Sequence, residues 1–269
     1  MENTLSELDQ RCKESDMVLV GIGEEFQYDW DLLIQNERFG EIEKELDEHE
    51  KYRWIVPFIQ KMFLSQSLDE RLDKAYKTLQ KILEGRNYFI LSIADDDYVY
   101  RYDFKKDRIV TLCGGFSKMQ CDCNCSGTLY DVDEKVYGDV RNYFDKKINL
   151  EQLQEPKCEK CGENIRFNQF GVKKFAQEGF LPQWELYTKW LQGTLNKKLC
   201  VIELGANVQV PTFIRWPFEK IIYYNQKSFL YRIHSSFYQL GENISERGIG
   251  IKENSINFLA NGFVNYDLM

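Results

Sequence analysis

Two short cysteine clusters constrain the fold of this 269-residue chain more than any other feature of its sequence. In the first, CDCNC, Cys121 and Cys125 form a C-x3-C pair; in the second, CEKC, Cys158 and Cys161 form a C-x2-C pair. Both spacings allow two sulfurs to converge on one tetrahedral ion, and Zn²⁺ is the usual ion in a four-cysteine site. The clusters therefore predict a structural zinc module held by these four residues.

The other cysteines have different predicted roles. Cys123 lies inside the first cluster and is expected to be the spare thiol, because four ligands complete a structural zinc site. The spacing also permits Cys123 to replace Cys121 or Cys125, and free or redox-active thiols are the alternative to a metal site. Cys12 and Cys200 lie in helical or strand-like surroundings and are predicted to be buried thiols.

Apolar runs of strand length lie on both sides of the cysteine clusters. They cover residues 16–23, 87–93, 108–114, 198–205, 220–225 and 229–234. Helical patterns separate several of these runs, and such alternation favours βαβ units and a mostly parallel sheet. Segment 118–165 interrupts the alternation. We therefore predict an α/β fold: a Rossmann-like, mostly parallel sheet with a smaller part made of a helical insert and the zinc module.

Helices are expected at four places. Residues 42–63 repeat apolar side chains at roughly helical spacing, and Pro57 should divide that segment. Residues 68–83 give a clearer pattern, with Gly85 as the terminator. Its predicted apolar face consists of Leu68, Leu72, Ala75, Leu79 and Ile82. Two further helices are predicted near 183–193 and 254–261.

Composition and charge exclude several classes of protein. Hydrophobic residues make up 43% and aromatic residues 14%, as in folded globular chains. The formal charge of −8 argues against a nucleic-acid surface, which needs clustered lysine and arginine. The sequence contains no apolar run of the roughly 18–20 residues that would cross a membrane, and its first residues lack the pattern of a secretory signal. We therefore expect a cytoplasmic protein whose cysteines stay reduced.

The first apolar run ends in the segment GIGEEF. Gly21 and Gly23 are consistent with a turn that lets a phosphate approach the backbone at the end of a strand. Phe26 occupies the place of the third glycine in a G-x-G-x-x-G motif, so an ordinary structural turn is the alternative. Glu24 and Glu25 add negative charges that are unfavourable beside a pyrophosphate.

The order of these pieces resembles the sirtuin family. A strand with a glycine turn comes first, then a helical pattern, SIADD, TLCGG, the paired cysteines, LGANVQVPTFIRWPFE and FLYRIH. The resemblance covers nearly the whole chain and is greatest to the divergent bacterial branch with zinc-containing, ADP-ribosylating members. It implies a single domain over 1–269. Its Rossmann-like part would comprise 1–41, 86–117 and 166–269, its helical insert 42–85 and its zinc module 118–165.

The resemblance also implies a bound nucleotide, NAD or ADP-ribose. The residues that match its two glycine-rich segments are Gly21, Gly23, Gly205, Asn207 and Pro211. His234 falls near the family's adenosine-ribose segment. It is expected either to hydrogen-bond the ligand or to cap the end of a strand.

Two positions depart from the sirtuin pattern. Ala94 replaces the family's asparagine in SIADD, although Asp96 keeps the acid and is its candidate catalytic and cofactor-binding residue. Cys113 replaces the catalytic histidine, the general base of deacylation. A thiol has an unperturbed pKa near ~8.5, against ~6.5 for imidazole, so Cys113 is a poor proton shuttle at neutral pH. It is either a reactive nucleophile or a small residue at a position without acid–base function.

These features give three hypotheses for the function. The first is a sirtuin-like zinc protein that binds NAD or ADP-ribose, regulates a protein partner and does not deacylate. The second is an active NAD-dependent transferase of the sirtuin class, meaning an ADP-ribosyltransferase, NAD hydrolase or deacylase that acts on a protein substrate. Asp96 and binding geometry would then support cleavage of the nicotinamide–ribose bond. The third is a structural zinc protein without a nucleotide. None of the three involves nucleic acid or a membrane.

Overall fold

A computed structural model describes residues 2–261 of the chain and divides them into two compact units. The first unit combines residues up to 27, residues 70–113 and residues from 180 onward. The second combines Tyr28–Asp69 with Gly114–Gly179. None of the helices within residues 2–261 is long and apolar enough to cross a membrane.

The secondary structure alternates helices and strands, as predicted. The helices are α1 (Glu2–Glu14), α2 (Asp31–Ile34), α3 (Glu37–Glu48), α4 (Val56–Gln66), α5 (Glu70–Leu83), α6 (Glu134–Phe144), α7 (Leu181–Gln192), α8 (Arg215–Tyr224) and α9 (Ser255–Asn261). The strands are β1 (Met17–Ile22), β2 (Tyr88–Ser92), β3 (Ile109–Thr111), β4 (Gly114–Cys121), β5 (Leu129–Tyr130), β6 (Ile165–Gln169), β7 (Leu199–Leu204), β8 (Ser228–Ile233) and β9 (Gly248–Ile251).

The first unit is built on a six-stranded parallel sheet with the order β3-β2-β1-β7-β8-β9. Every residue of β1, β2 and β7 is buried, which explains why these strands are mostly apolar in the sequence, with Glu203 as the one charged residue among them. The strand order reverses between β1 and β7. This is the doubly wound Rossmann order, and the predicted fold class is confirmed. Ligands of such sheets bind outside the carboxyl ends of the two strands at the reversal.

One predicted strand is wrong. Residues 220–225 lie mostly in α8, which has a helical pattern of burial: Arg215, Phe218 and Ile222 are buried, whereas Tyr223 and Tyr224 are exposed. The run IIYY is apolar because adjacent residues cover two sides of a helix. Its continuous apolar character is therefore not evidence of a strand.

Helix α5 follows its predicted pattern except at Leu68, which is exposed and precedes the helix. Gly85 ends the segment with a φ of +68°, the left-handed conformation that a helix terminator needs. The helix packs on α1 and α9 and belongs to the first unit. The predicted insert, 42–85, placed it in the smaller part. The difference arises because its apolar face contacts helices of the sheet unit.

The second unit joins α2, α3, α4 and α6 to a three-stranded antiparallel sheet with the order β5-β4-β6. Pro57 lies in the first turn of α4, after a 3-10 helix at Glu50–Ile55, so it divides the helical segment as expected. The cysteine-bearing part runs from Gly114 to Gly179, beyond the predicted 118–165. It is larger because β4 and β6 pair with each other on either side of the cysteine loops.

A buried ion pair joins the neighbouring strands β7 and β8. Glu203 and Arg232 are partners in the sheet register, and the side chain of each is 1% exposed. Arg232 donates two hydrogen bonds to the Glu203 carboxylate, at 2.7 and 3.0 Å, and a third to Glu219 at 2.9 Å. Burial raises the pKa of Glu203, and the charge of Arg232 opposes that rise. Each charge is therefore tolerated because of the other.

We expect Arg232→Met to destabilise the protein by about 3–5 kcal/mol, because the buried Glu203 carboxylate loses the side chain that donates two hydrogen bonds to it and keeps only Arg215, at 3.6 Å. The double variant Glu203→Leu/Arg232→Met removes both charges and should lose less stability. Urea denaturation followed by circular dichroism measures both free energies of unfolding. A double variant as unstable as the single one would contradict this account of the pair.

Candidate functional site

The loops that follow β1 and β7 meet at the reversal point of the sheet. The Gly23 N–H donates to the carbonyl of Leu204 at 2.8 Å, and the Glu25 N–H donates to the carbonyl of Gly205 at 3.0 Å. These two backbone hydrogen bonds join the two segments predicted to bind a nucleotide. The structure therefore brings Gly21, Gly23, Gly205 and Asn207 into one region, the carboxyl edge of the sheet.

Packing between protein segments explains the glycines in these loops. A Cβ on Gly21 would lie 2.6 Å from side-chain atoms of both Ile214 and Phe218. A Cβ on Gly23 would overlap the backbone of Ala206. Gly205 has a φ of +67°, and its Cβ would lie 2.6 Å from that of Glu25. The space of the missing side chains is thus filled by protein atoms, and a direct contact of these glycines with a nucleotide stays a prediction.

The two glutamates after the glycine turn accept backbone hydrogen bonds. The Glu24 carboxylate accepts from the Asn207 N–H at 3.1 Å. The Glu25 carboxylate accepts from the N–H of Ser255 at 2.8 Å, from the N–H of Ser235 at 3.1 Å and from the Ser235 hydroxyl. Both carboxylates thus lie along the carboxyl edge of the sheet. Glu25 also fastens the β1 turn to the end of β8 and the start of α9.

The loop after β7 is held from within and by α8. The Asn207 side-chain oxygen accepts the Gln209 N–H at 2.7 Å, and the Pro211 carbonyl accepts the Trp216 N–H at 2.9 Å. Arg215 donates to the carbonyl of Ala206 at 3.1 Å and to that of Phe237, in the loop after β8, at 2.8 Å. Arg215 was not among the predicted site residues. The sequence signal that could have indicated it is a charged residue within the largely apolar segment FIRWPFE.

His234 caps the end of a strand, which is one of its two predicted roles. Its Nδ1 accepts the N–H groups of Ser236 at 2.9 Å and Phe237 at 3.1 Å, immediately after β8. An accepting Nδ1 assigns the proton of the neutral ring to Nε2. Burial lowers the pKa of His234, so the ring is neutral at neutral pH. His234 thus orders the turn after β8 and does not act there as a cation.

Cys113 follows β3 and lies among carboxylates. Burial, together with the charges of Asp95 and Glu24, raises the pKa of Cys113 to about 12. The thiol is therefore protonated at neutral pH, and a protonated thiol is neither a good nucleophile nor a general base. This environment favours the interpretation of Cys113 as a residue without acid–base function.

The loop after β2 separates the acids of SIADD. Asp96 is buried and accepts the Tyr98 N–H at 2.9 Å. It also lies near Tyr76, whose pKa is raised well above its ordinary value by burial and by the charge of Asp96. The acid of this segment whose charge raises the pKa of Cys113 is instead Asp95, which was not a predicted site residue. A catalytic or nucleotide-binding role of Asp96 stays a prediction.

The four predicted zinc ligands converge. The sulfurs of Cys121, Cys125, Cys158 and Cys161 all lie within 4.8 Å of one another. The Cys121–Cys161 distance is 3.5 Å and the Cys125–Cys158 distance is 3.7 Å. A zinc ion with bonds of about 2.3 Å to four sulfurs requires about 3.8 Å between the sulfurs. The cluster therefore has the dimensions and the chemistry of a structural zinc site.

Two tight turns present these sulfurs. In the second cluster Gly162 has a φ of +76° and donates its N–H to the Cys158 carbonyl at 2.8 Å. The N–H groups of Lys160 and Cys161 lower the pKa of Cys158, which favours the thiolate that a metal binds. In the first cluster Asn124 has a φ of +45°, and its backbone N–H donates to the Cys121 carbonyl at 2.8 Å.

Cys123 lies at the edge of the cluster. Its sulfur is 3.5 Å from that of Cys121 and 3.8 Å from that of Cys161, although it is not one of the four mutually close sulfurs. This position agrees with its predicted role as the spare thiol. Cys12 and Cys200 are buried, as predicted, and their sulfurs are 3.5 Å apart.

The chain is similar to proteins named for ADP-ribose chemistry. It is 22% identical over 258 residues to a Staphylococcus aureus protein named protein ADP-ribosyltransferase, covering 89% of this chain and 81% of that protein. It is 22% identical over 142 residues to a Fusarium oxysporum f. sp. cubense protein named probable bifunctional ADP-ribose hydrolase/ADP-ribosyltransferase. That match covers 51% of this chain and 24% of the Fusarium protein, so the chain spans about a quarter of it. No protein-family model matches the chain.

The fold is similar to that of a solved sirtuin structure, Sir2Af2 bound to a myristoylated histone peptide. The TM-score is 0.51 and the identity 15%, over 98% of this chain and 96% of that one. The chain therefore has the sirtuin fold. The predicted resemblance is confirmed at this level.

We expect the purified protein to contain about one zinc ion per chain, measured by inductively coupled plasma mass spectrometry. Cys158→Ser should lose the metal and lower the melting temperature, because ligation energy is partly folding energy. Cys123→Ser is the matched control in the same cluster and should keep its zinc. Loss of zinc in Cys123→Ser, with retention in Cys121→Ser or Cys125→Ser, would assign Cys123 as a ligand.

Proposed function

We propose that the chain binds NAD or ADP-ribose at the carboxyl edge of its six-stranded sheet and that its four-cysteine cluster holds a structural zinc ion. The observation that carries the nucleotide proposal is the reversal of strand order between β1 and β7. Two loops meet at that point, each from a segment that resembles a sirtuin nucleotide-binding segment, and open α/β sheets bind their ligands there. The names of the two curated relatives support the same ligand class.

The site residues do not support deacylation. The position of the sirtuin general base holds Cys113, whose pKa is raised by burial and by carboxylates, so its thiol does not take up a proton at neutral pH. Ala94 is buried and has no side-chain donor or acceptor. We therefore infer a protein that binds the nucleotide, with a protein partner as the target of its regulation.

Titration with ADP-ribose and with NAD tests the binding proposal. Either ligand should raise the melting temperature, since a ligand at ten times its Kd stabilises the native state by about 1.4 kcal/mol. Asn207→Asp should weaken binding, because it adds a negative charge to the crevice while an Asp oxygen can still accept the Gln209 N–H. Gln192→Glu is the matched control, with the same change of charge on an exposed residue at the end of α7.

Either of two results would contradict the binding proposal. One is the absence of a shift at millimolar ADP-ribose and NAD, which would favour the structural zinc protein. The other is equal weakening in Asn207→Asp and Gln192→Glu, which would place the binding outside the crevice.

ADP-ribosyl transfer is the second candidate function, favoured by the named Staphylococcus aureus relative that matches 89% of this chain. NAD labelled in its adenylate part distinguishes the outcomes. Transfer would release nicotinamide and label a protein, hydrolysis would release nicotinamide and free labelled ADP-ribose, and a binding protein would leave NAD intact.

We expect no NAD-dependent removal of acetyl or myristoyl groups from lysine peptides, because the base and the amide are both missing. Mass spectrometry of the peptides measures this directly. Cys113→His/Ala94→Asn is the variant that restores both groups, with Cys113→His alone as its control. Brisk deacylation by the unmodified chain that is lost in Cys113→Ala would overturn this part of the proposal and make the thiol catalytic.

A further inference from the structure

The Glu24 carboxylate accepts a backbone hydrogen bond at the point where the strand order reverses. Its Oε2 accepts the Asn207 N–H at 3.1 Å, and this bond runs from the loop after β1 to the loop after β7. The charge of Glu24 also reaches Cys113, after β3, and His234, after β8. Glu24 is therefore an anion among the ends of four strands of the sheet.

A carboxylate and a phosphate compete for the same kind of partner. Both are oxygen anions that accept backbone N–H groups, and carboxylates can replace phosphates at such positions. The turn that presents the Asn207 N–H is held independently of Glu24, by the Asn207 side chain, which accepts the Gln209 N–H, and by Arg215, which binds the Ala206 carbonyl. A ligand phosphate that accepts the Asn207 N–H must displace the Glu24 carboxylate from it and still lie close to that negative charge.

The adjacent Glu25 is held in a different way. Its carboxylate accepts two backbone N–H groups and one hydroxyl from Ser235 and Ser255, and its side chain is 14% exposed. These bonds fasten three chain segments together. Glu24 accepts a single hydrogen bond from the backbone of one loop and is half-buried. Glu24 and Glu25 thus carry the same charge at the same edge of the sheet. Of the two carboxylates, the one that accepts a backbone N–H from the loop after β7 is that of Glu24.

We propose that Glu24 is an internal anion that competes with the phosphates of the nucleotide for the crevice between β1 and β7 and lowers the affinity of the site. This inference rests on the proposed function, because it assumes that the nucleotide binds in that crevice. It concerns the strength of binding: the chain would hold NAD or ADP-ribose more loosely than it would without the Glu24 charge.

Isothermal titration calorimetry with ADP-ribose tests the proposal on the full-length protein. Glu24→Gln keeps an oxygen that can accept the Asn207 N–H and removes the charge, so its affinity for ADP-ribose should rise by about fivefold, the size typical of one partly exposed charge interaction. Glu25→Gln makes the same change of charge one residue away and should give no gain. Glu24→Ala removes the charge and the acceptor together and should match or exceed the gain of Glu24→Gln.

Each outcome bears on the proposal. Tighter binding by both Glu24 variants but not by Glu25→Gln supports it, including the case in which only the Glu24 variants bind measurably. Equal gains at Glu24 and Glu25 would reveal a general effect of net charge and overturn it. Binding by the unmodified chain with no gain in either Glu24 variant would overturn the competition and leave the proposed function intact. Absence of binding in every variant would overturn both.

Discussion

The ion pair between Glu203 and Arg232 is the interaction on which the geometry of the crevice depends. It joins β7 and β8 one residue before their carboxyl ends, in a sheet that is otherwise mostly apolar. Arg215 lies 3.6 Å from the same carboxylate and extends from it to the carbonyls of Ala206 and Phe237, in the loops after those two strands. The buried Glu203 carboxylate thus also attracts Arg215, and Arg215 holds both loops by its hydrogen bonds. The cost of burial is tolerable because the two arginines are balanced by the carboxylates of Glu203 and Glu219, and Arg232 donates hydrogen bonds to both.

The carboxyl edge of the sheet has a different electrostatic character from the strands beneath it. Glu24, Glu25 and Asp95 place negative charge there, and His234 is neutral because burial lowers its pKa and its Nδ1 accepts two N–H groups. Burial and two of these carboxylates raise the pKa of Cys113 to about 12. An acidic edge disfavours a thiolate and a bound anion for the same reason. In the proposed ADP-ribosyl transfer, the same carboxylates would stabilise the positive charge that develops on a ribose when its bond to nicotinamide breaks.

Much of the fold could be predicted from the sequence, because burial on both faces leaves a simple signal. β1, β2, β3, β7 and β8 are mostly apolar in sequence, and the spacing of the cysteines identified the four sulfurs that converge. The prediction of a strand at 220–225 was wrong because a helix with aromatic residues on its exposed side is as apolar in sequence as a strand. The two acids of SIADD could not be assigned from sequence alone. Both lie in the loop after β2, and only the three-dimensional structure relates Asp95 to Cys113 and Asp96 to the tyrosines.

The glycine turn illustrates why a motif and a topology have different weight as evidence. G-x-G after a strand is commonly taken to indicate a phosphate, yet here the atoms that require Gly21, Gly23 and Gly205 belong to the protein. A relative that binds no nucleotide would need the same glycines to bring the same two loops together. The reversal of strand order is independent of them, since it follows from the path of the chain through the sheet. The case for a nucleotide therefore rests on the position of the crevice. The proposed weakening of binding rests on Glu24, whose carboxylate accepts the Asn207 N–H from the facing loop.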